Sequence, residues 1–197
     1  MDFILFWNEK GLIFLNSLAG TQQLQTIFWI LADAPIFFLP IFLISMWLYY
    51  VIKNMNEQKK SLLLLFYSTL LALSINMIIQ NLIHFDRPES VLQWVWNLIL
   101  NHIPDASFPS DHTAVSIAFA TSLYYTGFKK SAMIFFPIAM IMNISRIISW
   151  VHWPLDIIVW TLVWLFSGYM VCKIFIRNKY LNQLSEILLK ISNFFKL

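Results

Sequence analysis

Three short polar clusters stand at the ends of long apolar runs: His84-Phe85-Asp86-Arg87-Pro88, Ser107-Phe108-Pro109-Ser110-Asp111-His112, and Ser145-Arg146 followed by His152 and Asp156. Hydrocarbon does not tolerate such groups unpaired, so each needs a partner or a task. His152 and Asp156 are four apart, one turn on the same helix face. The carboxylate can then accept the proton on one imidazole nitrogen and leave the other free to attack. Arg87 and Arg146 carry planar forks suited to phosphate oxygens. A helix starting after Pro109, capped by Ser110 or Asp111, adds free backbone N–H groups and a positive helix end. His112 in that first turn can protonate a departing oxygen.

Together these groups read as phosphoryl transfer through a phosphohistidine, with no metal and no cofactor. A metal centre on His84, Asp86, Asp111 and His112 is the rival reading. Two arginines aimed into the same space would oppose a cation, and tight ligand spacing is lacking. The bland reading makes all of them helix-end anchors of a transporter or scaffold. The full set, with two arginines and an oriented His–Asp pair, argues against it.

The elements that position these groups are hydrophobic helices. The 197 residues are 59% hydrophobic and 12% charged, against about 25% charged in soluble domains. The expectation is an all-α, polytopic membrane helix bundle forming one domain over 1–197, with its core at about 25–177. Spans are expected at 27–50, 62–83, from Pro109 to about 127, 131–149 and 154–177. Residues 1–20 form an interfacial or sixth helix, and 180–197 an amphipathic surface helix. Asp33 reads as an end-of-helix or structural carboxylate. Ser68, Ser74, Asn76, Gln80 and Asn81 read as glue between helices. Trp94 and Trp96, in the long connection 84–110, suit the headgroup level. The lone cysteine, Cys172, excludes an internal disulfide. Asp2, the lack of lysine before Lys10 and the lack of an Ala-x-Ala site argue against a cleavable signal. The net charge of +3 is scattered over short connections, so nucleic acid is not an expected partner.

Alternating span direction brings Arg87, His112, Arg146, His152 and Asp156 to one end of the bundle. The loops with Lys53, Lys59, Lys60, Lys129 and Lys130, and the tail with Lys173, Arg177, Lys179, Lys190 and Lys196, fall at the other. Lys10, Arg87 and Arg146 stay opposite. By the positive-inside rule the basic end is cytoplasmic and the histidine cluster faces outward.

At these residues the chain closely resembles the type-2 phosphatidic acid phosphatase family. Its pattern is Lys-x6-Arg-Pro, Pro-Ser-x-His and Ser-Arg-x5-His-x3-Asp. Arg87-Pro88, Pro109-Ser110-Asp111-His112 and Ser145-Arg146…His152…Asp156 fit it in order. The resemblance implies a nucleophilic His152 oriented by Asp156, His112 as leaving-group acid, and phosphate held by Arg87, Arg146 and Ser110. Gln80 stands where the family has lysine and is expected to keep a neutral hydrogen bond to phosphate. Trp150 stands where glycine is usual and is expected to crowd the rim or stack on lipid, alongside Trp94, Trp96 and Trp153.

Ser-Phe-Pro-Ser-Asp-His looks like the bacitracin-resistance type of undecaprenyl-diphosphate phosphatase. That branch implies a multi-pass enzyme of the bacterial cytoplasmic membrane with an outward site and a membrane lipid phosphate as substrate. A required protein partner is not evident. Other branches imply phosphatidylglycerophosphate, phosphatidic acid or lipid A phosphates. A lipid phosphotransferase, or a non-enzymatic lipid-phosphate binding or transport protein, would share the cluster.

Overall fold

The computed structural model describes residues 2–83, 85–92 and 107–195. His84, Trp94 and Trp96 lie outside the described residues. Among the described residues eight helices follow in order: α1 (Asp2–Ser17), α2 (Gln22–Ile52), α3 (Asn56–Leu82), α4 (Pro88–Val91), α5 (Asp111–Tyr125), α6 (Lys129–Ile148), α7 (Pro154–Arg177) and α8 (Lys179–Phe195).

The bundle is built around α5. Residues Thr113, Ala114 and Ser116 through Leu123 are all buried, and its main neighbours are α3, α6 and α7. Ala114, Ser116, Ala118, Ala120, Thr121 and Ser122 are small enough for backbones to approach closely, the packing that membrane helices use in place of a hydrophobic driving force. A side chain at Gly168 on α7 would stand only 3.0 Å from Thr121. Ser122 Oγ donates to Ser68 Oγ at 2.6 Å, tying α5 to α3.

Among the described residues three helices are long and apolar enough to cross a bilayer: α3, α6 and the stretch Pro154–Ile174 of α7. Helix α2 makes a fourth if its halves, Gln22–Ala34 and Phe37–Ile52, count as one span bent by 49°. Pro35 falls in that bend and supplies no N–H to the helical ladder. Five spans plus a possible sixth were expected from the apolar runs. Helix α5, at 15 residues, is about 22 Å long at 1.5 Å per residue, short of the roughly 30 Å hydrocarbon layer. Large apolar side chains such as Ile41, Ile44, Phe66, Leu70, Ile158, Leu162 and Phe166 remain exposed on the outer faces, where lipid rather than water solvates them. The protein is a multi-pass helical membrane protein.

Helix α1 docks on the junction between α6 and α7. Asn16 Nδ2 donates to the Ile148 carbonyl at 2.7 Å, and Asn8 Oδ1 accepts the Leu155 N–H at 3.0 Å. Leu12 joins Ile147, Trp150 and Ile157 in one buried cluster. At the opposite end α8 lies on α3. Lys59 is buried there, donating to Asn193 Oδ1 at 2.6 Å and standing over the Trp47 ring. Lys60 pairs with Glu186 at 2.8 Å.

Trp150 is neither at the rim nor free to stack on lipid. It is 2% exposed, under α1, and its φ is +69°. The left-handed backbone explains why a glycine suits this position: without a Cβ it adopts that region unstrained. A bulky residue there costs about 1–3 kcal/mol, whereas emptying a buried tryptophan site costs about 3–5 kcal/mol. Burial outweighs strain, so Trp150→Gly should lower Tm in detergent despite relieving the backbone. A Tm equal to or above the parent's would show that strain dominates.

Candidate active site

The site lies where the end of α3, the start of α5 and the α6–α7 junction meet. Ser107 joins them. Its N–H donates to the Phe85 carbonyl at 2.7 Å, its hydroxyl to Asp156 Oδ2 at 2.5 Å, and its carbonyl faces His152 Nδ1 at 2.7 Å. A carbonyl can only accept, so Nδ1 of His152 carries the proton and Nε2 keeps a lone pair. Asp156 was expected to hold that proton directly. It instead takes the Ser107 hydroxyl and the Trp153 N–H. The reason is positional: α7 begins at Pro154, so His152 lies before the helix and the four-residue spacing does not stack it over Asp156. Asp156 therefore reaches His152 through Ser107.

The other predicted residues gather around this centre. Arg87, 6% exposed, donates from Nη1 to the Val151 carbonyl at 3.2 Å, and Trp153 Nε1 donates to the Asp86 carbonyl at 3.0 Å. Ser110 is the N-cap of α5 and accepts the Thr113 N–H at 3.4 Å; the Phe108–Pro109 peptide before it is cis. Thr113 continues the polar contact below, donating to Asn143 on α6 at 3.0 Å. Arg146, 1% exposed, donates to Asp33 Oδ1 at 2.9 Å. His112 Nε2 stands 3.3 Å from the same Asp33 oxygen.

His152 lies in the loop between α6 and α7. Burial, then the positive fields of Arg146, Arg87 and His112, hold its imidazole well below the ordinary histidine range. It is a neutral base at physiological pH. Glu89 on α4 shows the opposite balance: burial raises its carboxyl, against Arg87 and Arg146.

Gln80 has two expected roles, glue between helices and a hydrogen bond to phosphate, and the structure gives it the first: it holds the α5 approach. Its amide donates to the Pro109 carbonyl at 2.8 Å and to Asp111 Oδ1 at 3.0 Å, and Asn76 donates to the same two groups. A lysine at this position could have reached farther; the shorter amide meets the Pro109 carbonyl first. Asp33, read as a helix-end carboxylate, and Ser107 were not singled out as site residues. Asp33 is 113 residues from its arginine partner and Ser107 is 45 from His152, separations that leave no local periodicity to detect.

An all-α membrane bundle with two arginines and two histidines converging at one end defines a phosphate-handling membrane protein. The family model described as the PAP2 superfamily matches residues 61–180, and the chain belongs to that superfamily of metal-independent lipid phosphatases. It is 30% identical over 170 residues, 83% of this chain and 78% of the relative, to the bacitracin transport permease protein BcrC of Bacillus licheniformis. Over 119 residues, 60% of this chain and 57% of the relative, it is 26% identical to the putative undecaprenyl-diphosphatase YbjG of Escherichia coli (strain K12). The crystal structure of Aquifex aeolicus LpxE superposes with a TM-score of 0.63 and 26% identity, covering 85% of this chain and 95% of that one.

The Gln80 geometry gives a test. Gln80→Leu removes both donations and leaves Asn76 as the remaining donor to the same two groups, at about 0.5–1.5 kcal/mol for each bond lost. Its Tm should fall, with a looser α5 approach. An unchanged Tm would show that the amide does not hold this segment.

Proposed function

We propose that the protein hydrolyses a lipid-linked diphosphate, undecaprenyl diphosphate, to undecaprenyl phosphate and phosphate through a phosphohistidine. The observation that carries this reading is the tautomer of His152: Nδ1 is held by the Ser107 carbonyl, so a bare Nε2 is left beside the cationic groups. Nε2 attacks the terminal phosphorus. An N–P bond forms, the P–O bond to the inner phosphate breaks, and the leaving oxygen takes a proton from His112. Water then attacks phosphorus and returns a proton to His112, and the N–P electron pair goes back to His152. Arg87 and Arg146 hold the non-bridging oxygens. The Ser110 hydroxyl, accepting from Thr113, keeps its own hydrogen for one of them.

The lipid part of the reading rests on a groove of about 430 Å³ between α2, α3 and α5. Leu39, Leu43, Phe66, Leu70 and Phe119 line it, and His112 stands at one end. Such a groove suits a chain that stays in hydrocarbon while its phosphate reaches the site; each buried methylene is worth about 0.8 kcal/mol. The diphosphate is favoured by the similarity to the putative undecaprenyl-diphosphatase of Escherichia coli.

Purified protein in mixed micelles, given each lipid at matched surface concentration, should release phosphate from undecaprenyl diphosphate with a higher kcat/KM than from phosphatidic acid or phosphatidylglycerophosphate. Farnesyl diphosphate should follow, less efficiently. His152→Ala should abolish turnover, and exhaustive chelation should leave the wild-type rate intact. A tenfold preference for a glycerophospholipid would overturn the carrier-lipid assignment.

The same reading includes five membrane crossings, with α2 and α5 among them, and a site on the outer face of a bacterial cytoplasmic membrane. Support comes from the arrangement of Lys53, Lys59, Lys60, Lys129 and Lys130 at the end remote from His152. In a Cys172→Ser background, Val91→Cys should react with an impermeant thiol reagent on intact spheroplasts, and Lys130→Cys only after membrane disruption. The reverse pattern would invert the orientation.

A further inference from the structure

Asp33 enters the centre from α2, at the 49° bend. Its Oδ1 is 2.9 Å from Arg146 Nη1 and 3.3 Å from His112 Nε2. One carboxylate oxygen thus stands beside two groups that have roles at phosphate, accepting from Arg146 and lying close to His112, in space that the phosphate group would enter. Arg146 has a side chain only 2% exposed, and a guanidinium so buried requires an anion. Asp33 keeps 27% of its side chain exposed, so the carboxylate is less deeply enclosed than the arginine it pairs with. The neighbouring carboxylate, Asp111, is already held through Oδ1 by Asn76 and Gln80.

We propose that Asp33 is an internal stand-in for phosphate that sets a charge threshold on the ligand. An incoming anion must take Arg146 and His112 from a carboxylate of one negative charge, which then remains nearby and repels it. A phosphodiester headgroup, also with one charge, exchanges like for like and meets that repulsion. A phosphomonoester or diphosphate brings more charge to two arginines and wins the exchange. The device answers a problem that any lipid phosphatase meets: its site opens toward a bilayer full of phosphodiesters. The inference rests on Arg146 and His112 forming the phosphate site, and it goes further by making a residue of α2 the discriminator between lipid classes.

The test uses the full chain in detergent, with inorganic phosphate followed by calorimetry and phosphatidylglycerol added to mixed micelles during turnover. Asp33→Asn keeps the shape and removes the charge. It should bind inorganic phosphate about tenfold more tightly, a gain of about 1.4 kcal/mol. It should also become inhibited by phosphatidylglycerol at surface concentrations that leave the wild type unaffected, with KM falling more than kcat changes. Asp33→Glu should keep the wild-type discrimination, which a merely structural role would not predict. Asp33→Ser serves as a second neutral variant if the amide disturbs the bend. Unchanged or weaker phosphate binding by both neutral variants, while Arg146→Ala has lost binding, would overturn the inference and leave the phosphate site standing. If Arg146→Ala binds phosphate as well as the wild type, the phosphate-site reading fails and the inference fails with it.

Discussion

Ser107 is the residue on which the centre depends. Its amide, carbonyl and hydroxyl each go to a different segment: the strand-like stretch after α3, the loop before α7, and α7 itself. In a buried setting each of these bonds fixes a direction as well as contributing to stability, because an unmade one would leave a desolvated polar group. The tautomer of His152, the setting of Asp156 and the approach of Arg87 along Val151 follow from that junction. The next residue, Phe108, packs edge-on against Trp160 of α7, with ring centroids 4.8 Å apart.

The lower layer of the bundle explains how so much charge is tolerated there. Arg146 and His112 meet Asp33, Arg87 meets backbone carbonyl oxygen, and the Thr113–Asn143–Ser116 contacts continue the polar path between α5 and α6. Below them the packing is apolar and aromatic, with Phe42, Phe119 and Phe135 in mutual edge and tilted contact. The arginines and histidines of the centre thus sit together at one end, and the helices beneath present apolar faces to hydrocarbon.

Much of this was legible before any coordinates. The apolar runs located α2, α3, α6 and α7 to within a few residues, because a membrane demands length and composition together. Arg87, Ser110, His112, Arg146, His152 and Asp156 were found by type and spacing, and the structure brings them to one end. What spacing could not supply was direction. The interval between His152 and Asp156 carries a helical face only if both lie in the helix, and Pro154 starts it too late. Gln80 looked like a shortened lysine, yet its amide meets a carbonyl first. Trp150 looked like a rim residue, because nothing near it in sequence announces that α1 will cover it. Asp33 was hidden by its distance along the chain from Arg146. Helix α5 reads as a span from its apolar composition; its small side chains, spread over 15 residues, also make it the buried axle of the bundle, which composition alone does not show.

The docking of α1 has a consequence for how the protein is made. Asn16 finds its acceptor at Ile148, 132 residues later, and Asn8 finds its donor at Leu155, 147 residues later. Ribosomes deliver the first helix long before either partner exists. Until α6 and α7 have been inserted, Trp150 has no cover and its left-handed turn has no packing to offset the strain. The loop bearing His152 is therefore among the last parts to close, and the two ends of synthesis meet in it. Contacts of such long sequence separation are slow to form. A nascent chain halted just before α7 would carry most of its membrane helices and no assembled centre.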